Sequence, residues 1–418
     1  MKKILRAIGK PFTEVGAVYL REFRIVKSDV GLILFFLFLP LVYPVLYSLI
    51  YNPEVVRNIS VVVVDRDRSA ESRDLVRKFD ATPAAYVKGY AADLPEARRA
   101  VNEGEAFAIL EIPEHFGSDL GNGKQATPVL YCEVSLLLRY RELLVASTGV
   151  SLDMGENIQH SRISESGGGS IIPAGESFPM AMSYRPLGNI SSGFDSFIMP
   201  GVLMLILHQC IVLAIGMRGG SVSESPRLCE YYPVNYVKST FLTMAGQCLC
   251  YYTLLFIPLI WMVHFVPLIF HFPMAGNPVQ IMVFLLPYIL SAMMLGYFVQ
   301  AFVTEREAIF VIWVITSLVL LFLSGLTWPT YAMKFPWNLI SDMLPSTWGV
   351  QGFIRMNGDG ATLADVGTDY RNLWLLTAFW GVLGYLMQRL VVRPRARLAI
   401  VTRACISEGL LPEREAKD

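Results

Sequence analysis

The 418-residue chain is 54% hydrophobic and only 17% charged, against roughly 25% charged residues in a soluble domain, so much of it is built for lipid. Its 35 basic and 35 acidic residues cancel, which excludes a strongly basic nucleic-acid binder and a polyacid, and the charges collect between long uncharged stretches. Of the six cysteines, only Cys132 falls in a segment expected outside the cell, so an extracellular part must hold together by packing and not by an internal disulfide.

Residues 1–29 read as a cytosolic amphipathic helix. From Phe12 onward Val15, Tyr19, Phe23 and Val26 recur at helical spacing opposite Glu14, Arg21 and Lys27, which suits either a lipid anchor on the inner surface or a docking element. Gly31–Tyr51 carries no charge, and a helix needs about 20 apolar residues at ~1.5 Å each to cross the hydrocarbon core. Its basic flank runs from Lys2 to Lys27 and Tyr-Asn-Pro stands where a small-residue cleavage site would be, so residues 30–51 are expected to be a permanent first span, not a signal peptide.

Residues 52–190 are long enough for a domain. The β-branched run Ile59–Asp65 predicts a buried strand, Ser69–Phe79 a helix, Ala85–Tyr90 a strand, Leu94–Asn102 a helix, Ala106–Ile112 a strand closed by Pro113, and Val129–Val134 another strand. This alternation predicts an α/β fold. Leu136–His160 reads as a long helix, followed by a Gly/Ser linker at Ser164–Ser170.

Five more apolar runs follow: Phe197–Gly216, Phe241–Phe265, Val279–Val303, Ala308–Leu326 and Leu373–Val392. They are uncharged except for Arg389, whose side chain can snorkel to the headgroups. Inner loops are expected at 217–240 and 304–307. The outer stretch 327–372, with Trp328, Pro329, Tyr331, Phe335, Pro336, Trp337 and Trp348, is too apolar for an ordinary loop and predicts short interfacial or re-entrant helices. Lys2, Lys3, Arg6, Lys10, Arg21, Arg24 and Lys27 at one end, and Arg393, Arg395, Arg397 and Arg403 in the tail 393–418, place both termini in the cytosol. The expected fold is an α-helical polytopic membrane protein with six transmembrane helices and an inserted α/β extracytoplasmic domain.

No phosphate-cradling loop, zinc-binding pair or nucleophile elbow is present, so no cofactor is expected on this chain. Cys248 and Cys250 are two apart on a helix and face different ways, which argues against a metal pair. His208 and Gln209 in the second span, and Gln247 and His264 in the third, either touch cargo or only hydrogen-bond between helices. The spans contain no Asp or Glu, so an ion-coupled carrier lacks its usual group. Nor does the first half repeat in the second, which removes support for an inverted-repeat transporter. The inner-loop charges are either solvated or dock on a cytosolic partner.

Several local patterns, in order along the chain, resemble the permease subunits of ABC type-2 exporters with a large domain between the first two spans. These are Arg21–Phe23 before a span, the Asp-x-Asp-x-Ser-x-x-Ser pattern within Val61–Val76, the Ile-Pro-x-x-Phe segment within Ala106–Lys124, and the Ser-Gly, Pro, Pro and Leu-Pro pattern of Ser324–Trp348. The resemblance implies a bacterial inner-membrane subunit that pairs with a second copy or a sister permease. It also implies two separate cytosolic ATP-binding cassette subunits that carry ATP and Mg, and it allows a periplasmic adaptor. The coupling surface would then comprise Glu224, Arg227, Glu230, Tyr231, Tyr232, Thr304, Glu305, Arg306 and Glu307. The substrate path, along the first, second and fifth spans, would include His208, Gln209, Trp313, Ser324 and Trp328. The segment Glu224–Lys238 departs from the Arg-Glu-rich stretch and Gly-Thr pair of many relatives. Two other readings compete: a sensor or scaffold whose outer domain binds a ligand, and a membrane enzyme drawing on Asp342, Arg355, Asp359 and Asp365.

Overall fold

The computed structural model describes residues 2–51, 55–133, 135–165, 194–224, 239–272 and 274–395. The expected linker beyond Glu165, the loop residues Arg227, Glu230, Tyr231 and Tyr232, and the tail beyond Arg395 lie outside the described residues. The chain divides into two compact units, residues 53–185 and residues 1–52 together with 186–418. Two helices open the chain, α1 (Lys2–Ser28) and α2 (Val30–Tyr51).

The 53–185 unit is built on a four-stranded sheet in the order β2-β1-β3-β4. Its strands are β1 (Ile59–Asp65), β2 (Ala85–Tyr90), β3 (Ala108–Ile112) and β4 (Val129–Cys132). β2 and β3 flank β1 in parallel, and β4 runs antiparallel to β3. Helix α3 (Ala70–Asp80) connects β1 to β2, and α4 (Leu94–Asn102) carries the chain back across to β3. Because the two crossovers run in opposite directions and keep one hand, their helices fall on opposite faces. Leu75, Val76 and Phe79 of α3 accordingly pack on Ile59, Val61 and Val63, while Ala97 of α4 packs on Val62, Val64 and Ile109. A run of four valines suits a strand covered on both sides, and each fully buried side chain contributes roughly 1.5–3 kcal/mol.

The Asp-x-Asp-x-Ser-x-x-Ser pattern builds the turn between β1 and α3. Asp65 accepts from the amides of Asp67 (3.0 Å) and Arg68 (2.8 Å) and from the Ser72 hydroxyl (2.8 Å). Ser69 caps α3 by accepting from the Ser72 amide, the ordinary role of a serine there. Asp67 accepts from the Gly117 amide at 2.9 Å. The Ser69 hydroxyl first, then that amide, holds the Asp67 carboxyl below its ordinary range. A Cβ on Gly117 would come within 2.8 Å of the Ser69 hydroxyl oxygen, so this position admits only glycine without a shift. Phe116, the end of the Ile-Pro-x-x-Phe segment and first residue of α5 (Phe116–Gly121), is buried in the α3-side core. The long helix α6 (Leu137–Glu165) covers that core with Leu143, Val150 and Met154.

The other unit holds α1, α2, α7 (Phe194–Glu224), α8 (Thr240–Phe270), α9 (Pro278–Val299), α10 (Ala308–Leu323), α11 (Trp337–Asp342), α12 (Pro345–Gly358) and α13 (Gly367–Arg395). Among the described residues, five helices are long and apolar enough to cross a bilayer: α2, α7, α8, α9 and α13. A sixth apolar helix, α10, is shorter at 16 residues. Helix α7 is the most deeply buried of the five and α13 the least. In lipid such packing rests on close van der Waals contact, which small residues permit. Cβ atoms added to Gly216 and Gly220 of α7 would strike Ile309 and the backbone at Glu305 and Arg306.

Two boundaries and one helix face depart from the sequence expectation. Helix α7 does not end at Gly216 but continues to Glu224, which puts Arg218 on a buried helix and not in a loop. Helix α13 begins at Gly367, within the expected outer stretch, because buried Asp369 is paired with Arg355. On α1 the face turned into the protein is Val18, Glu22, Ile25 and Val26, whereas Phe12 and Phe23 are exposed. The outer stretch does contain short helices, α11 and α12, and it clamps the end of α10. Ser341 and Thr347 donate to the Leu323 carbonyl at 2.7 and 3.2 Å, and Gln351 to that of Ser324 at 3.0 Å. Gly325 turns the chain there with a φ of 79°, a conformation glycine adopts freely.

Candidate functional site

Two arrangements in the helical unit stand apart from ordinary packing. One lies where α1 meets the ends of α7 and α8. The stripe Val18, Glu22, Ile25 and Val26 follows helical spacing, and α8 receives it closely, since a Cβ on Gly246 would lie 2.8 Å from that of Val18. Glu22 is only 3% exposed and Arg218 only 2%. Arg218 Nε donates to Glu22 Oε1 at 2.9 Å, Tyr251 Oη to the same oxygen at 2.8 Å, and Gln247 Nε2 to Oε2 at 3.2 Å. Tyr297 of α9 donates to Gln247 Oε1 at 3.2 Å, so the network spans four helices.

A buried ion pair loses much of its attraction to desolvation and persists only when further hydrogen bonds satisfy it. Here burial alone would raise the Glu22 carboxyl, but the Arg218 charge and the bonds from Arg218, Tyr251 and Gln247 outweigh it. The carboxyl therefore stays below its ordinary range and ionised.

The short turn at 304–307 is held against the same end of the unit. Asp29 accepts from the amides of Gly31 (3.0 Å) and Leu32 (3.3 Å), capping α2, and it also forms an ion pair with Arg306. The turn crosses α7 at Gly220, where an added Cβ would lie 2.6 Å from the Glu305 carbonyl oxygen. Thr304, Glu305 and Glu307 remain exposed, and Arg306 is partly buried by its pairing. Nearby, Arg393 of α13 donates to Ser239 O (3.1 Å) and Thr243 Oγ1 (2.7 Å).

The second arrangement is a cavity of about 150 Å³ between α7, α9 and α10, lined by His208, Gln209, Val212, Leu295, Ile312 and Trp313 among others. Trp313 Nε1 donates to Gln209 Oε1 at 3.2 Å. His208 is fully buried, stacks on Tyr288 with ring centroids 6.2 Å apart, and has no hydrogen-bond partner on either ring nitrogen among the described residues. The neighbouring hydroxyls give their protons elsewhere: Tyr288 donates to Met204 O at 2.6 Å and Thr316 to Ile312 O at 2.7 Å.

Of the path candidates, then, His208, Gln209 and Trp313 come together around one cavity. Ser324 does not join them; it is buried at the end of α10, its hydroxyl donating to Leu321 O and its carbonyl accepting from Gln351. Trp328 is exposed and lies outside the cavity lining. Of the coupling candidates, the structure describes 304–307 and, at the end of α7, the backbone of Glu224. Glu22, Asp29, Arg218, Tyr251 and Tyr297 were not singled out by the sequence. Of the outer charged group, Arg355 pairs with Asp369, and Asp365 accepts from the amide and hydroxyl of Thr362. Among the described residues no cluster of His, Cys, Asp or Glu could hold a metal ion.

Helices of this length and apolarity, packed around α7, define a multi-pass helical membrane protein. Residues 30–386 match the family model described as ABC-2 family transporter protein, and the chain belongs to that family. It is thus a permease component of an ABC transporter, a transport subunit that associates with ATP-binding cassette subunits. No curated protein matches the chain.

Proposed function

We propose that the chain is the membrane-spanning subunit of an ATP-driven exporter that forms its path as a dimer, with itself or a sister permease, and is worked by separate cytosolic ATPase subunits. Helix α10 is the sixth span. Its 16 residues rise about 24 Å, and the clamped outer stretch makes up the remaining thickness. With six spans both termini lie in the cytosol of a bacterial inner membrane, and residues 52–190 form an extracytoplasmic domain that receives cargo or contacts a periplasmic adaptor.

The observation that carries the coupling reading is the double tie at the inner end. Glu22 joins α1 to α7 and α8, and Asp29 joins the start of α2 to Arg306. A push on α1 or on the exposed Glu305 and Glu307 is thereby delivered to the helices that flank the cavity. Thr304, Glu305, Arg306 and Glu307, with Glu224, Arg227, Glu230, Tyr231 and Tyr232, make up the ATPase-facing surface. The path runs past His208, Gln209 and Trp313, with Ser324 and Trp328 toward its outer end.

The test is co-purification and coupled turnover. The wild type brings down a soluble ATPase whose hydrolysis in proteoliposomes is stimulated by cargo. Glu305→Lys with Glu307→Lys abolishes that association while leaving the thermal midpoint unchanged, since both side chains are exposed. Recovery of a kinase in place of an ATPase would favour a sensor and overturn the reading.

A further inference from the structure

We propose that α6 pairs antiparallel with α6 of a second copy of this chain, across a two-fold axis between Thr148 and Gly149. The face of α6 turned away from the buried Leu143, Val150 and Met154 carries Val145, 62% exposed, and Leu152, 63% exposed. Seven residues apart, these two stand two turns from each other on one line of the helix. Between them lie exposed Thr148 and Gly149. A Cβ on Gly149 would meet nothing within 4 Å, so another backbone can come close there. Exposed Arg141 and Glu156 stand about one turn beyond Val145 and Leu152 at either end. An open groove of about 600 Å³ borders the same face, lined by Val145 and Gly149 together with Pro83 and Ala84 of the turn between α3 and β2.

Single exposed apolar side chains need no partner; the order of these six residues is what identifies one. In a two-fold pair each residue faces the one that stands equally far on the other side of the axis. With the axis between 148 and 149, Val145 faces Leu152 of the partner subunit and Arg141 faces Glu156 of the partner subunit. Apolar meets apolar, basic meets acidic, and the small residues meet at the centre. Glu156 reaches His160 with Oε1 at 3.7 Å, which leaves Oε2 for the guanidinium. A parallel pair would set Arg141 against Arg141 of the partner subunit, and like charges repel. The stretch from Arg141 to Glu156 is about four turns long and offers less surface than a stable dimer buries. The contact therefore depends on the membrane helices pairing too, and the inference rests on the proposed pairing of this chain with a second copy.

The test is oxidative cross-linking of cysteine variants of the full chain in membranes, with the wild-type chain as the blank. Thr148→Cys, beside the axis, is expected to give a disulfide-linked dimer by itself. Val145→Cys and Leu152→Cys each lie about 10 Å along the helix from their own copy, so each alone is expected to stay unlinked and the two combined to link. In the Thr148→Cys chain, Arg141→Glu is expected to lower the early disulfide yield about fivefold, because two exposed ion pairs are lost. Adding Glu156→Arg is expected to restore it. All of these positions are exposed, so the substitutions spare the core. Native mass spectrometry of the same chain in lipid nanodiscs reads its oligomeric state. A nanodisc dimer whose Thr148→Cys variant stays unlinked would overturn the helix pairing and leave the dimer standing. Val145→Cys linking alone as fast as Thr148→Cys would mark a parallel pair and also overturn the proposal. A chain that is monomeric, or recovered only with a sister permease, would overturn the inference together with self-pairing.

Discussion

Replacing Glu22 by Leu removes the carboxylate that accepts from Arg218, Tyr251 and Gln247 and leaves the guanidinium buried without that counter-charge. Breaking one side of a buried ion pair costs about 3–5 kcal/mol. In a unit this large each kcal/mol moves Tm by about 2 °C, so the expected fall is roughly 6–10 °C. Arg218→Met alone strands the carboxylate and is expected to cost a similar amount. The double variant removes both charges and fills the space with apolar side chains, a change that is often near neutral, so its Tm should return to within roughly 2–4 °C of the wild type. Intrinsic-fluorescence melts of the purified protein in detergent measure all four corners of this cycle. Additive losses, with the double variant melting at the sum of the two single shifts, would refute the claim that these residues act as one unit.

Acid should act through the same group. Because the Glu22 carboxyl lies below its ordinary value of 4.5, the unfolded chain takes up its proton first. The stabilisation is therefore complete above about pH 4.5 and is lost as the pH falls through the lower folded value. The wild type should lose Tm more steeply than Glu22→Gln below that pH, and parallel curves would contradict the assignment. His208→Phe keeps a ring on Tyr288 but removes two buried nitrogens that have no partner among the described residues, so the protein should gain about 1–3 kcal/mol, read as a rise in Tm; a fall would contradict this reading of His208. Gly220→Ala places a Cβ 2.6–2.7 Å from backbone atoms of Glu305 and Arg306, which cannot swing aside as a side-chain tip can, and should cost about 1–3 kcal/mol. Gly16→Ala, with nothing within 4 Å, is the control; equal melts for the two would remove the case for a tight crossing.

Patterns contained within one element were legible in the sequence. Four consecutive valines and the helical runs Ser69–Phe79 and Leu94–Asn102 mark β1, α3 and α4 by local rules of burial and spacing, and long uncharged runs announce the membrane helices. The cavity was legible only in pieces. His208 and Gln209 are conspicuous as polar groups in an apolar run, yet their meeting with Trp313 depends on how α7 and α10 pack.

Glu22 and Arg218 were missed because single charges near helix ends default to solvent. A signal for Glu22 was present: it sits four residues from both Val18 and Val26, inside the buried stripe. The expected stripe Phe12, Val15, Tyr19, Phe23 and Val26 shares Val26 with the buried face, but Phe12 and Phe23 point outward and draw the stripe away from Glu22. Arg218 was hidden by Gly219 and Gly220, which look like a helix end but instead let Gln300 and the 304–307 backbone approach.

The clamp on α10 has a mechanical consequence. Its far carbonyls are held by Ser341, Thr347 and Gln351, and the turn before it is pinned through Arg306 to Asp29. Between those anchors Val311, Val314, Ile315, Leu318 and Phe322 are bare. A rod fastened at both tips resists unravelling. Any movement of it is expected to be a tilt or roll as one piece, dragging the 304–307 turn at one extremity and helices α11 and α12 at the other.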